Sequence, residues 1–243
     1  MTTSNPTLRA DTFTRTAFGG DTDVMTIRGT AAKTFLLLAL AAMSATFTWT
    51  QARSGAGMGL MMLGVFGGFI VAMVLCFKQT WAPVLAPVYA VLEGLFLGGI
   101  SAVFAARYGG IVFQAVAMTF GTLFALLAAY QSGYIRATEK FKLGVIAATG
   151  GIAVVYLVSM VLGFFGVQIP GIFGSGAVGI GFSVVVVVIA ALNLVLDFDL
   201  IERGAQAGAP KYMEWYGAFS LMVTLVWLYL EILRLLSKLK DNR

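Results

Sequence analysis

From Ser183 to Leu196 the chain reads SVVVVVIAALNLVL without a charged residue, and the six residues that follow, DFDLIE, hold three carboxylates. Taken back to Gly174, the uncharged stretch exceeds the ~20 residues that cross a ~30 Å hydrocarbon core. A helix is therefore required that lies in lipid and carries acids at one end. An ionised carboxylate at the centre of such a helix costs about 2.5–3.5 kcal/mol, and less near an interface. Spacing suggests how that cost is managed. Asn193 and Asp197 follow at i, i+4, so the sequence places them on one face, with Asp197 directed into a protein interior. Asp199, Glu202 and Arg203 fall on another face, where Asp199 can pair with Arg203.

The rest of the chain agrees. Of 243 residues 59% are hydrophobic and 11% are charged, where a soluble domain carries about 25% charged residues. Histidine is absent and Cys76 is the one cysteine. Intrachain disulfides, His-based metal sites and His-based acid–base chemistry are thereby excluded. Residues 1–33 form a polar arm with no signal-peptide h-region. Residues 34–239 form the membrane domain, and 240–243 a short tail.

Seven apolar segments are long enough, or nearly so, to span: Thr34 to Trp49, Ala56–Phe77, Ala82–Ala106, Gly110–Gln131, Phe141–Phe165, Gly174–Ile201 and Trp215–Leu236. The expected fold is all-α, a polytopic seven-helix membrane bundle. Short connections make consecutive helices antiparallel neighbours. Small-residue steps at Gly55/Gly59, Gly64/Gly68, Gly94/Gly98 and Gly150/Ala153 are expected to let backbones approach closely.

Basic residues orient the bundle. With the N-terminus cytoplasmic, ten lie inside (Arg9, Arg15, Arg28, Lys33, Lys78, Arg136, Lys140, Lys142, Arg203, Lys211) against Arg53 and Arg107 outside. Only the tail, with Arg234, Lys238, Lys240 and Arg243, runs against this. Either that tail is tolerated outside, or the last helix is not a simple span. The net charge of +5 thus reports topology and not affinity for nucleic acid.

Two acids lie within apolar segments. Glu93 falls about 16 Å along the third, near mid-membrane, and Glu231 about 24 Å along the seventh, where Arg234 offers an i, i+3 partner. Glu214 opens the seventh segment. Intramembrane acids are functional candidates by default, as an ion path or a proton relay. A desolvated carboxyl holds its proton to higher pH, more so beside a second carboxylate. Carboxylate and carbonyl oxygens also suit hard cations such as Ca²⁺. There is no nucleophile–base arrangement, no H-E-x-x-H and no G-x-S-x-G. The acids therefore point to a pH-sensitive cation path, with no tightly bound cofactor, rather than to an enzyme.

Four stretches, in this order and spacing, resemble one family: MTIRGTAAKTFLLLALAAMSATFTW (Met25–Trp49), PVYAVLEGLFLGGIS (Pro87–Ser101), LNLVLDFDLIERG (Leu192–Gly204) and PKYMEWYGAFSLMVTLVWLYLEILRLL (Pro210–Leu236). Across Met25 to Leu239 the chain is similar to the transmembrane Bax inhibitor motif family, in its bacterial branch. The resemblance implies a seven-helix fold whose C-terminal helix is central, a bacterial cytoplasmic membrane, and a pH-sensitive Ca²⁺ leak. It also implies a pair of aspartates, on the sixth and seventh helices, that share a proton and gate the path. The first falls on Asp197. The second falls on Thr224, which cannot titrate. Glu93, Glu214 and Glu231 are left to substitute, with Thr224 supplying a hydroxyl, and Glu93 comes first because its depth resembles that of Thr224. Asp197 and Glu93 are thus the expected cation ligands and pH-sensing pair. Two other readings stay open: a non-transporting scaffold that binds other membrane proteins, and a proton-coupled transporter.

Overall fold

The computed structural model describes residues 24–52, 56–166 and 171–242. Arg9, Arg15, Arg53, Gly55 and Arg243 lie outside the described residues. Seven long helices follow one another: α1 (Ile27–Gln51), α2 (Ala56–Phe77), α3 (Ala82–Arg107), α4 (Ile111–Gln131), α5 (Glu139–Phe164), α6 (Ala177–Gln206) and α7 (Met213–Asp241). Among the described residues the extended backbone amounts to one bridge, between Val24 and Pro210. At 21 to 30 residues each, the helices are about 31–45 Å long, enough to cross a bilayer with their polar backbone groups satisfied internally. The protein is an all-α, seven-span membrane bundle.

Local sequence sets the helix ends. Thr26, in extended conformation, caps α1 by accepting from the Gly29 N–H at 2.9 Å, and Thr138 caps α5 through the Phe141 N–H. Helix α1 therefore begins at Ile27 rather than near Thr34, because Thr26 starts it and no proline interrupts Ile27–Thr34. Left-handed glycines at 133, 166 and 208 follow the ends of α4, α5 and α6, where a side chain would strain the turn.

Helix α3 is the small-residue element. A Cβ at Gly98 would run into the Ala45 carbonyl of α1, and one at Gly94 into the Ala41 carbonyl and Ser44 hydroxyl. On the other side, a Cβ at Gly64 of α2 would meet the α3 backbone at Leu92 and Phe96. The expected steps at 64/68 and 94/98 thus bring α1, α2 and α3 together. Those at Gly59 and Gly150 do not, since nothing lies within 4 Å of a Cβ at either.

Helix α7 packs against α1, α3, α4 and α6 and is the most deeply buried of the seven, whereas α5 is the least. Its Met222, Leu228, Ile232 and Leu233 are fully enclosed, joining an α4–α6–α7 core to an α1–α3–α7 core. Sequential neighbours are not always spatial ones. Helix α5 packs on α6 and has no packed interface with α4.

The course of α7 answers the question raised by the basic tail. The Met25 N–H bonds the Ala209 carbonyl at 2.7 Å on the N-terminal face. At the far face, Lys240 bonds the Gly109 carbonyl and Arg107 meets Asp241. The helix is a continuous span, and its basic residues are engaged within the fold. Arg234 pairs with Glu231. Lys238, 5% exposed, donates to the Ile172 and Gly179 carbonyls and to Ser183.

Candidate functional site at the α6–α7 seam

Asp197 lies on the face of α6 that meets α7 and is 7% exposed. Ser220 of α7 donates to its Oδ1 at 2.6 Å. Thr224, one turn further along α7, turns its hydroxyl toward the same carboxyl. Oδ2 nonetheless has no hydrogen-bond partner and is the one such buried side-chain atom among the described residues. A buried carboxylate oxygen left unpaired is costly, and native proteins keep few of them. With two hydroxyls and a carboxylate, the seam offers hard oxygen donors of the kind Ca²⁺ takes. Among the described residues no three Asp, Glu, His or Cys side chains gather as a metal site.

Other acids lie elsewhere. Glu93 does not meet Asp197. It hydrogen-bonds Tyr89, one turn back on α3, and its Oε2 would lie 3.1 Å from a Cβ at Gly68 of α2. The expected cation-binding and pH-sensing pair is corrected on this point: α3 turns Glu93 toward α2, and α3 has no packed interface with α6. Asn193 is also turned away from Asp197. Its amide donates to Thr149 of α5 and to the Ile189 carbonyl, at 2.8 Å each. The 40° offset of an i, i+4 pair is enough to send one side chain to α5 and the other to α7.

Asp199 pairs with Arg203 at 2.6 Å, as the spacing required, and also with Lys142 of α5 at 3.0 Å. Glu231 takes Arg234 at 2.9 Å and, in addition, the Tyr156 hydroxyl at 2.9 Å. Glu214, with no exposed surface, accepts from the Thr26 N–H and hydroxyl and from Lys33 and Lys211. Every one of these acids except Asp197 therefore has its charge or its hydrogen bonds answered locally. At the far face the Tyr108 phenol donates to both Asp241 oxygens at 2.7 Å, and that carboxylate pushes the phenol above its ordinary range.

Residues 5–241 match the Bax inhibitor 1 like family, nearly the whole chain. The chain belongs to that family. No curated protein matches it. For a Bax inhibitor 1 like protein the Asp197 seam has particular interest, because the resemblance to the family put its second gating aspartate at Thr224. The structure sets Thr224 opposite Asp197, so the two positions do face each other although only one can titrate.

The partners found at the seam and the ends gave no signal in the sequence. Ser220 stood out with Thr224 and Glu231 as a polar residue of the seventh segment, but nothing in the sequence paired it with Asp197. Lys33 and Thr26 fell within the polar arm, and Lys238 within the basic tail.

Proposed function

We propose that this protein is a pH-sensitive, Ca²⁺-permeable leak whose gate is the α6–α7 seam at Asp197. The observation that carries this reading is the unpaired Asp197 Oδ2, buried where the central helix meets α6. Loss or gain of one proton there changes both charge and hydrogen-bonding capacity in a low-dielectric site, which shifts the balance between closed and separated helices. In the closed arrangement Ser220 holds Oδ1. Separation of α6 from α7 exposes carboxylate and hydroxyl oxygens along one line for a hard cation. Membership of the Bax inhibitor 1 like family supports the same reading. The protein acts in a bacterial cytoplasmic membrane with its N-terminal face inside. Arg28, Lys78, Arg136 and Lys140 crowd that face, whereas the far-face cations of α7 are engaged within the fold.

The test is Ca²⁺ entry into dye-loaded liposomes, scanned over pH. Flux above protein-free vesicles, with a pH profile abolished by Asp197→Asn, is the expected result. Flux no greater than in empty liposomes at every pH would end the reading.

A further inference from the structure

A cavity of about 830 Å³ opens at the N-terminal half of the bundle. Its walls are Leu38 of α1, Leu123 and Leu127 of α4, Phe198 of α6, and Leu221 and Leu225 of α7. The two side walls, α1 and α4, have no packed interface with each other, so the cavity faces the hydrocarbon sideways. The threonines of α1 and the tyrosine that line it are already satisfied. Thr30 and Thr34 donate to backbone carbonyls at 2.9 Å, and Tyr130 donates to Glu202. Water entering the cavity would find few partners, whereas hydrocarbon is the medium outside.

The mouth is polar and its charge is unbalanced. Of its acids, Asp199 is held by Arg203 and Lys142, and Glu202 by Tyr130 and Gln206. Arg136, also at the mouth, is exposed, and its guanidinium has no partner among the described residues. An apolar cavity open to lipid beneath a free guanidinium complements a hydrocarbon tail with an anionic head.

We propose that this cavity holds one acyl chain of an anionic phospholipid from the surrounding leaflet, with the headgroup phosphate on Arg136. A guanidinium meets phosphate through paired N–H donors. The chain then lies against Phe198, Leu221 and Leu225, next in sequence to Asp197, Ser220 and Thr224. The site stands on its own geometry and holds whether or not the protein conducts Ca²⁺.

The test uses the full chain reconstituted in vesicles of equal phosphatidylglycerol and phosphatidylcholine with identical acyl chains. The protein is then extracted in mild detergent and its retained lipid is quantified by mass spectrometry. Wild type is expected to keep about one phospholipid, with phosphatidylglycerol favoured about fivefold, the worth of one basic contact at a membrane surface. Arg136→Gln should bring that preference to near unity while lipid is still retained. Lys78→Gln, at the exposed α2–α3 connection outside the cavity, should leave it unchanged. Ala31→Phe adds bulk at an exposed wall position and should expel the lipid without disturbing the core. A benzophenone amino acid in place of Leu127 should cross-link to phospholipid. Equal retention of the two lipids by wild type, an unchanged preference in Arg136→Gln, or cross-linking of position 127 to residues 1–23 of the same chain would each overturn the site.

Discussion

Ser220 of α7 gives its hydroxyl hydrogen to Asp197 Oδ1 of α6 at 2.6 Å, and no donor answers the other oxygen of that carboxylate. Two residues along α6, Asp199 is in the opposite condition, clasped by Lys142 and Arg203 and partly exposed. Asp197→Asn should therefore change both the rate and the pH profile of Ca²⁺ leak. Asp199→Asn should change them less, since Asp199 is already answered by Lys142 and Arg203 and lies off the α6–α7 seam. Flux in liposomes measures both, and equal effects would remove Asp197 from its special place.

Thr224 faces the same carboxyl, at the position to which the family resemblance assigns the second aspartate. Thr224→Asp would place two carboxyls across the α6–α7 seam. Interacting acids titrate as a pair in two macroscopic steps. The pH profile of the variant should show two steps where wild type shows one. A single step at the wild-type midpoint would mean that positions 197 and 224 do not couple.

Glu93→Gln should leave the pH midpoint of the leak where it is in wild type. Glu93 is bonded to Tyr89 on the α2 side of α3, and a carboxyl affects another's titration strongly only at close range. A displaced midpoint in Glu93→Gln, measured beside Asp197→Asn, would restore the pairing that the structure does not form.

The architecture was legible because lipid leaves so few options. Seven long apolar runs, small residues at 64/68 and 94/98, and basic residues in alternate connections are one-dimensional signals of a three-dimensional constraint. Asp199–Arg203 and Glu231–Arg234 were legible for a related reason: both pairs lie on one helix, so spacing alone places them. What joins one helix to another was not. The partners of Asp197 and Asn193, and the side to which Glu93 turns, depend on which helix each face meets, and rotation by a fraction of a turn decides that. Glu214 meets Thr26 across 188 positions of sequence, and nothing in either segment announces the other.

The glycines of α3 should separate sharply from those of α5. In Gly98→Val the new side chain must displace the Ala45 backbone of α1, which cannot yield without parting two helices. A loss of several kcal/mol is expected, on the order of the worst overpacked cores. Gly150→Ala meets open space and should stabilise by about 0.5–1 kcal/mol through helix propensity. Thermal unfolding in detergent compares the two, and similar midpoints would show that α1 and α3 are not in backbone contact.

Glu214 should be the most costly single acid to remove for stability, though not for flux. It is fully buried at the head of α7, where it accepts two hydrogen bonds from Thr26 and pairs with Lys33 and Lys211. Its carboxylate also occupies the space a Cβ at Gly29 would need. Glu214→Ala leaves the Thr26 donors and the Lys33 ammonium without their acceptor, and breaking a buried pair from one side costs about 3–5 kcal/mol. Lys211 is 44% exposed at its side chain, so Lys211→Gln should cost no more than about 1 kcal/mol. Replacing both members of the buried pair, as in Glu214→Gln with Lys33→Met, should recover part of the loss, because no charge is then left buried alone. Unfolding midpoints of the four proteins decide the matter. If Glu214→Ala unfolds no earlier than Lys211→Gln, the junction of α1 with α7 is held by apolar packing around Met25 and Gly217 instead of by this carboxylate.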